Sequence, residues 1–309
     1  MDFSLKTRHI HKYKNEAKAA GLLAFPMGWW TLWFVVAFIA ALVFSFTNVT
    51  LAKLANGKPI SFTLVNYERI FGFLSPKFDK NFWEALKVTM IWTVVMTIGN
   101  NLMALLCAFL INSIKRGKKL FLGMLFWPSL VSGVVGSDVT KMVFGSQNSS
   151  LANQIVMAFG GEPIQWLTDK DFALISLMVM PFFLGFATKM LIYYSSLIAI
   201  PDTYKEAAAL EIRSPVKIFV KVTLPLMKNA VVLNVILSII DGFKVMGPMQ
   251  LVTQGGYGTE SEMLYIYNTA FEDGNIGRAC AYATILFLII LVFTFIQRLV
   301  SGKEVKSIE

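Results

Sequence analysis

Six apolar runs, separated by short polar stretches, dominate the pattern along the 309-residue chain. Each run holds about the 20 residues that a helix needs to cross the hydrocarbon core of a bilayer. Lipid offers no hydrogen-bond partner to a free backbone, so the runs are predicted to be helices. The pattern predicts an all-α membrane protein with six transmembrane helices, at residues 23–46, 85–111, 120–144, 172–198, 230–252 and 279–299.

Composition agrees with this prediction and adds a charge argument. Hydrophobic residues make up 56% of the chain, charged residues only 15%, and the mean hydropathy is +0.61. The formal net charge of +9 could indicate a nucleic-acid partner. Basic loops beside anionic lipid explain it more simply, and we expect no nucleic acid. Cys107 and Cys280 both fall within apolar runs, and their spacing indicates neither a disulfide nor a metal site.

The distribution of lysine and arginine predicts the orientation. Most of the 28 basic residues lie in the N-terminal tail, the loop after the second run, the segment 202–228 and the C-terminal end. These parts are expected to face the cytoplasm, with both termini inside a cell membrane that the chain crosses several times. We expect a cytoplasmic tail at 1–21, a transmembrane domain at 22–300 and a second cytoplasmic tail at 301–309.

The segment 202–228, between the fourth and fifth runs, is charged and reads as two short helices. Thr203 followed by Glu206 has the spacing of a capping box at the start of the first helix. Ser214 and Pro215 are predicted to be the N-cap and first residue of the second helix. Alanines on the first helix would allow close approach of another surface, although a plain connecting loop is the alternative.

No catalytic motif accompanies these features. The chain has no phosphate loop of the G-x-x-x-x-G-K-[ST] type, no H-E-x-x-H and no G-x-S-x-G, so we predict no catalytic or metal-binding residue. Charges inside predicted spans are expensive and suggest either a pairing or a functional role. Asp241 and Lys244 are three residues apart in the fifth run. Asp241 either pairs with Lys244 or Lys189 to stabilise the bundle, or lines a water-filled path.

The segment 202–228 resembles the cytoplasmic signature of permease subunits of binding-protein-dependent ABC importers. Glu206-Ala207-Ala208 matches its E-A-A opening, and Val222 to Pro225 matches its closing I-x-L-P at the expected spacing. Ile212 stands where the family has a glycine that ends the first helix in a left-handed conformation. Either the backbone of this turn differs, or Ser214-Pro215 alone makes the break.

The resemblance covers residues 22–300 and is similar to the sugar-specific branch, typified by the larger maltose-permease subunit. Thr253 to Gly256 is similar to a glycine-rich segment that this branch carries after its fifth span. The run 264–267 and the pair Trp166-Leu167 are similar to its segments before spans six and four.

The resemblance implies an assembly and a set of functional positions. The partners would be a second, homologous permease subunit, two ATPase subunits that hold ATP and Mg²⁺, and an extracellular solute-binding protein. This chain would need no cofactor of its own. A helix that couples the chain to the ATPase would involve Glu206, Ala207, Ala208, Glu211, Ile212 and Arg213. The matching substrate-path positions are Gly185, Thr188, Ser238, Asp241 and Gly242. Lys189 and Lys244 are added because a buried charge is costly.

The expected function is that of a transmembrane importer subunit that forms half of the path for a sugar, with an oligosaccharide as the expected substrate class and ATP hydrolysed on separate subunits. Import of another polar solute is the first alternative. A stand-alone secondary transporter or channel would leave the E-A-A segment unexplained and would usually show internal repeats, which this chain lacks. A membrane-embedded enzyme is disfavoured by the missing catalytic motifs.

Overall fold

The computed structural model describes residues 3–73, 75–114 and 116–303, and its described part is helical without a β-strand. The helices are, in chain order, α1 Phe3–Ser45, α2 Leu51–Ala55, α3 Val65–Phe71, α4 Lys80–Ser113, α5 Lys118–Phe126, α6 Gly133–Phe144, α7 Leu151–Ala158, α8 Lys170–Ala199, α9 Asp202–Glu211, α10 Pro215–Ile218, α11 Leu224–Leu226, α12 Lys228–Phe243, α13 Glu262–Phe271 and α14 Ile276–Lys303. The predicted all-α class is confirmed.

Four of the predicted spans are single long helices. They are α1 from Gly21 onwards, α4, α8 and α14 up to Leu299. Two further apolar segments are bent pairs of helices, so the described residues contain four spans, or up to six if each bent pair crosses the membrane. A multi-pass membrane protein is therefore confirmed, with six as the upper count.

The third run is two helices rather than the single helix expected over 120–144. The axes of α5, with the 3-10 turn Trp127–Leu130 that follows it, and of α6 differ by 87°. Pro128 lies in that turn and cannot donate a backbone hydrogen bond. Ser132 then starts α6 afresh, because its hydroxyl accepts a hydrogen bond from the backbone N–H of Val135.

The fifth run is also interrupted, which corrects the single helix expected over 230–252. Helix α12 ends at Phe243, and a π-helical turn covers Met249–Thr253 after a short irregular stretch. At its other end, α12 meets the segment from Pro215 to Leu226 at an angle of 76°. Lys244 consequently caps α12 instead of lying mid-way along a helix.

The segments predicted to be terminal tails are helical where the structure describes them. Helix α1 begins at Phe3, so the segment expected to be a tail is continuous with the first span. Helix α14 continues to Lys303. The rest of the predicted C-terminal tail, including Lys306, lies outside the described residues, as do residues 1 and 2.

Helix α4 is the central element, and it packs against α8 along one side and α12 along another. Buried apolar side chains between these helices form the core. Met190 and Leu197 of α8 belong to a buried cluster near one end of α4. Phe82, which lies on α4 itself, belongs to a second buried cluster near the other end. Helix α1 instead packs against α14 and leaves most of its apolar side chains exposed, as a helix facing lipid would.

Candidate functional site

The segment 202–228 forms two short helices, as predicted, at the end of the bundle where α4 and α8 terminate. None of the residues of α9 is buried, and the side chain of Leu210 is 90% exposed. Glu206, Ala207 and Glu211 are exposed on this helix, and Ala208 is half-buried. The structure therefore presents Glu206 and Ala207 of the E-A-A residues on an open surface, with Ala208 partly covered.

The start of α9 differs from the prediction. Its N-cap is Pro201, without a side-chain hydrogen bond, and Thr203 lies inside the first turn. The predicted capping box of Thr203 and Glu206 is therefore wrong. Pro201 directs the chain into the helix two residues before the threonine, and Asp202 supplies a negative charge to the first turn.

The start of α10 agrees with the prediction. Ser214 is its N-cap, and the hydroxyl accepts a hydrogen bond from the backbone N–H of Lys217 at 3.5 Å. Pro215 occupies the first turn of the helix. The serine–proline pair therefore defines the second helix of the segment.

Ile212 ends α9 without a left-handed residue. Its φ of −119° and ψ of 110° are extended, and its N–H donates to the carbonyl of Ala208 at 2.9 Å. Of the two possibilities that the sequence left open, the backbone of the turn does differ. An extended conformation is favourable for a β-branched residue, so glycine is not needed here.

A groove of about 520 Å³ lies behind α9 and connects the segment to the bundle. Phe109 of α4, Leu197 of α8 and Phe219 line it together with Ile212 and Arg213. The rings of Phe109 and Phe219 are 4.6 Å apart, centroid to centroid. The segment thus contacts the ends of two spanning helices through apolar side chains.

Within the bundle, Asn101 of α4 joins three helices. Its amide nitrogen donates to the hydroxyl of Ser238 on α12 at 2.9 Å, and also to the carbonyl of Thr97. Its oxygen accepts a 2.7 Å hydrogen bond from the hydroxyl of Tyr193 on α8. Ser238 in turn donates to the carbonyl of Asn234. Ser238, predicted to line a substrate path, is buried in this network.

Asn234 extends the network towards Lys189. Its amide nitrogen donates to the carbonyl of Lys189 at 3.1 Å, whereas its side-chain oxygen is buried without a partner in the described part. The side-chain oxygen of Asn100 is likewise unpartnered there, and Gly185 faces this amide closely. Unpaired buried oxygens can accept hydrogen bonds from an incoming hydroxyl group or water.

The intramembrane charges are brought together across two helices. The Lys189 Nζ atom on α8 lies 3.9 Å from the Asp241 Oδ2 atom on α12. The lysine side chain is 12% exposed and the aspartate side chain 71% exposed, so the pair reaches from the bundle interior to its open face. Of the pairings left open above, the one with Lys189 is confirmed.

Gly185 and Lys189 are half-buried, and the other five predicted path positions fall into two groups. Thr188, Asp241 and Lys244 are exposed on the open side of α8 and α12. Gly242 is buried against α4, because a Cβ atom there would lie 2.9 Å from the Cα atom of Thr93. Gly242, like Ser238, thus holds the helices together within this chain.

A second polar cluster, which the sequence did not reveal, lies at the other end of α4. Asp79 caps α4, and its second carboxylate oxygen accepts hydrogen bonds from the hydroxyls of Tyr265 and Tyr282. Nearby, Glu262 at the start of α13 is fully buried, and neither carboxyl oxygen has a partner among the described residues. Burial, with the charges of Asp79 and Glu260, raises the pKa of Glu262 well above its usual value.

Among the described residues, no group of three acidic, histidine or cysteine side chains is arranged to hold a metal ion. The polar residues that sequence reasoning missed are mainly amides and tyrosines. Asn100 and Asn101 stand out as adjacent amides within an apolar run, which is a usable signal. Tyr193 and Asn234 carry no comparable pattern.

Comparison with known proteins shows which chains this one is similar to. No family model matches the chain. The arabinooligosaccharide transport system permease protein AraP of Bacillus subtilis is 25% identical, over 96% of this chain and 97% of the relative. The multiple sugar-binding transport system permease protein MsmF of Streptococcus mutans is also 25% identical, over 95% and 98%. MalF of Salmonella typhimurium, a maltose/maltodextrin permease protein, is 29% identical over 77% of this chain and 48% of its own length.

A chain of a bacterial alginate ABC transporter, crystallised in complex with an alginate pentasaccharide-bound periplasmic protein, has a similar fold. The TM-score is 0.72 at 15% identity, over 94% of this chain and 96% of that one. The two chains thus share their fold. Together with the relatives, which are permease proteins of sugar transport systems, this likeness confirms the resemblance to sugar ABC-importer permeases that the sequence indicated.

Proposed function

We propose that this chain forms half of the translocation path of an ATP-driven importer for an oligosaccharide. The observation that carries the proposal is α9, a ten-residue helix that bears the E-A-A residues and has no buried residue. A helix with this much exposed surface, including Leu210, has a face to present to a partner. The relatives named for arabinooligosaccharide and maltodextrin transport support the substrate class.

The partner of α9 would be an ATPase subunit, and two such subunits would hold ATP and Mg²⁺ in the assembly. Ala207 is small and would allow a groove of the ATPase to approach closely. Glu206 and Arg213 are exposed and would form charge-assisted hydrogen bonds at the rim. Ile212 and the groove behind α9 would transmit the movement of the docked helix to α4 and α8. This arrangement puts segment 202–228 and both termini in the cytoplasm.

The sugar path would run along the open side of α8 and α12, where a second permease subunit would complete it. Thr188, Asp241 and Lys244 are exposed on this side, and Gly185 lies beside the amide of Asn100. Hydroxyl, carboxylate and ammonium groups match the hydrogen-bonding needs of a sugar. A sugar path often also offers an aromatic ring for stacking, but Phe186 and Phe243, which neighbour these positions in sequence, are buried in the bundle and would not stack on the sugar. An extracellular solute-binding protein would deliver the substrate.

Reconstitution tests the proposal. The tagged chain is purified with the proteins that accompany it and incorporated into liposomes, and uptake of labelled oligosaccharide is followed with the binding protein outside and ATP inside. Uptake that requires both ATP and a co-purified ATPase is expected. Uptake driven by an ion gradient without an ATPase would instead support a secondary transporter and contradict the proposal.

A further inference from the structure

A positively charged pocket lies at the end of the bundle opposite segment 202–228. Its volume is about 350 Å³, and its walls come from the residues after α1, from α3 and from the start of α14. Three basic side chains line it: those of Lys53, Arg69 and Arg278. Asn48 and Thr50 add an amide and a hydroxyl group. We call it the cationic pocket.

The cationic pocket is built by specific contacts that hold its three walls together. The Asn66 amide of α3 donates to the carbonyls of Ser45 and Thr47, at 3.0 and 2.8 Å, and so fixes α3 to the end of α1. Gly277 allows α14 to approach, because a Cβ atom there would lie only 2.3 Å from the Thr47 carbonyl oxygen. Arg278 follows directly in sequence. The fold therefore places all three basic groups on the walls of one pocket.

Nothing in the described part of the chain neutralises these charges by direct pairing. The three half-buried basic groups form no salt bridge there, whereas the nearby Glu68 pairs with Lys77 at 3.6 Å. Asp79 accepts its hydrogen bonds from tyrosines instead. Basic groups gathered around one pocket repel each other and concentrate a positive potential. An anion with several acceptor oxygens would relieve that repulsion.

An apolar groove adjoins the cationic pocket and limits what the anion can be. The groove has a volume of about 620 Å³ and runs along the last turns of α1, with Phe62 and Leu64 on its far wall. Thr63 lines both the groove and the pocket. Phe62 is 80% exposed, and Val43 and Phe46, which line the groove at the end of α1, are 45% and 41% exposed, as lipid-facing side chains would be. An apolar channel that leads from a lipid-facing surface to a cationic pocket fits an amphipathic ligand.

We propose that the cationic pocket and the apolar groove together bind one anionic phospholipid. The phosphate would accept hydrogen bonds from the two arginines and the lysine, as a multidentate anion can. One acyl chain would lie in the groove beside α1. The pocket sits at the end of a spanning helix, which is the depth of a headgroup. In the orientation proposed above, the lipid belongs to the outer leaflet. A soluble phosphate or an acidic peptide would leave the groove unused.

The test uses the assembled complex in lipid nanodiscs, titrated with phosphatidylglycerol against a phosphatidylcholine background and read by native mass spectrometry. The R69Q/R278Q variant removes two charges of the pocket, whereas K58Q removes an exposed lysine outside it. Each basic group near lipid phosphate contributes about a fivefold change in affinity, so the double variant should bind roughly 25-fold more weakly. K58Q should bind as the wild type does. If the double variant fails to assemble, K53Q alone should show the fivefold loss.

Two further binding experiments distinguish a lipid ligand from other anions. F62S alters the groove and should weaken binding of long-chain phosphatidylglycerol more than binding of a short-chain form. Glycerol phosphate, which has no acyl chain, should compete only weakly. Equal binding of phosphatidylcholine would overturn the role of the basic residues. Full competition by glycerol phosphate would overturn the role of the groove and leave a simple anion site.

Discussion

The hydroxyl of Tyr193 on α8 donates a 2.7 Å hydrogen bond to the side-chain oxygen of Asn101 on α4. Both residues are buried, and the nitrogen of the same amide bonds Ser238 on α12. One amide group therefore links three helices, two of which carry the predicted substrate-path positions. If α8 and α12 move relative to each other, at least one of these hydrogen bonds has to break or its donor and acceptor have to move together.

Removal of this hydroxyl tests the network. Y193F leaves the Asn101 oxygen without its donor and should lower the unfolding free energy by about 1 kcal/mol, a usual value for a hydrogen bond between membrane helices. Thermal unfolding of the purified complex measures it. Y194F, at the half-buried neighbouring tyrosine, is the matched control and should change stability little. Equal stability of Y193F and wild type would show that the bond contributes nothing.

A charge on α9 tests the docking surface. A207D should leave assembly of the chain in the membrane unchanged, because Ala207 is exposed. It should nevertheless abolish transport-coupled ATP hydrolysis, since an unpaired carboxylate would be buried against the ATPase. A52D puts the same change at an exposed alanine at the opposite end of the molecule and should retain normal activity. Normal coupled hydrolysis by A207D would contradict docking at α9.

The pair of Lys189 and Asp241 separates a pairing role from a transport role. D241N removes one partner of the 3.9 Å pair and should lower uptake about tenfold, the effect of one charge-assisted hydrogen bond to substrate. D138N, which disrupts the exposed pair with Lys141, should not alter uptake.

The double variant D241N/K189M then decides between the two roles. If Asp241 only neutralises the lysine, removal of both charges should restore uptake as well as stability. If it contacts the sugar, stability should recover while uptake stays low. Uptake kinetics in liposomes and thermal unfolding measure the two outcomes separately.

The buried carboxyl group of Glu262 should make the stability of the folded chain depend on pH. Its pKa is higher in the folded chain than in the unfolded chain, so folding favours the protonated carboxyl. Stability should therefore fall as the pH rises above the unfolded value, by about 1.4 kcal/mol for each unit of pKa difference until the folded value is passed. E262Q stays neutral at every pH and should be more stable than wild type at neutral and alkaline pH.

The control for this prediction is E272Q, which changes an exposed glutamate just after the same helix. The melting temperature of E272Q should follow that of wild type across the pH range. At low pH, where the Glu262 carboxyl is protonated in both states, the advantage of E262Q should vanish. An advantage that is independent of pH would argue against a titrating carboxyl.

The sequence predicted the long uninterrupted helices well, because a run of apolar residues has no other stable conformation in lipid. It also predicted the start of α10 from Ser214 and Pro215, a purely local signal. The breaks in the third and fifth runs were missed. Pro128 and Lys244 mark soft points within these runs, but whether a helix bends or breaks there depends on which backbone groups find partners in neighbouring elements.

The polar contacts inside the bundle were beyond sequence reasoning for a different reason. Asn101 and Ser238 are 137 positions apart, and their bond depends on the rotation of α4 and α12 about their axes. The capping box at Thr203 failed because the neighbouring Pro201 offers an earlier start to the helix. Local motifs compete with one another, and the sequence alone does not rank them.

The extended backbone at Ile212 has a mechanical consequence. A glycine in the left-handed conformation would make the connection between α9 and α10 flexible, since glycine passes between many backbone conformations at little cost. A β-branched isoleucine has a narrow range of both backbone and side-chain angles, and its side chain lines the groove shared with Phe109 and Phe219. The joint between α9 and α10 is therefore stiff. A force applied to α9 would therefore move the helices of the bundle, because the connection between α9 and α10 would bend little.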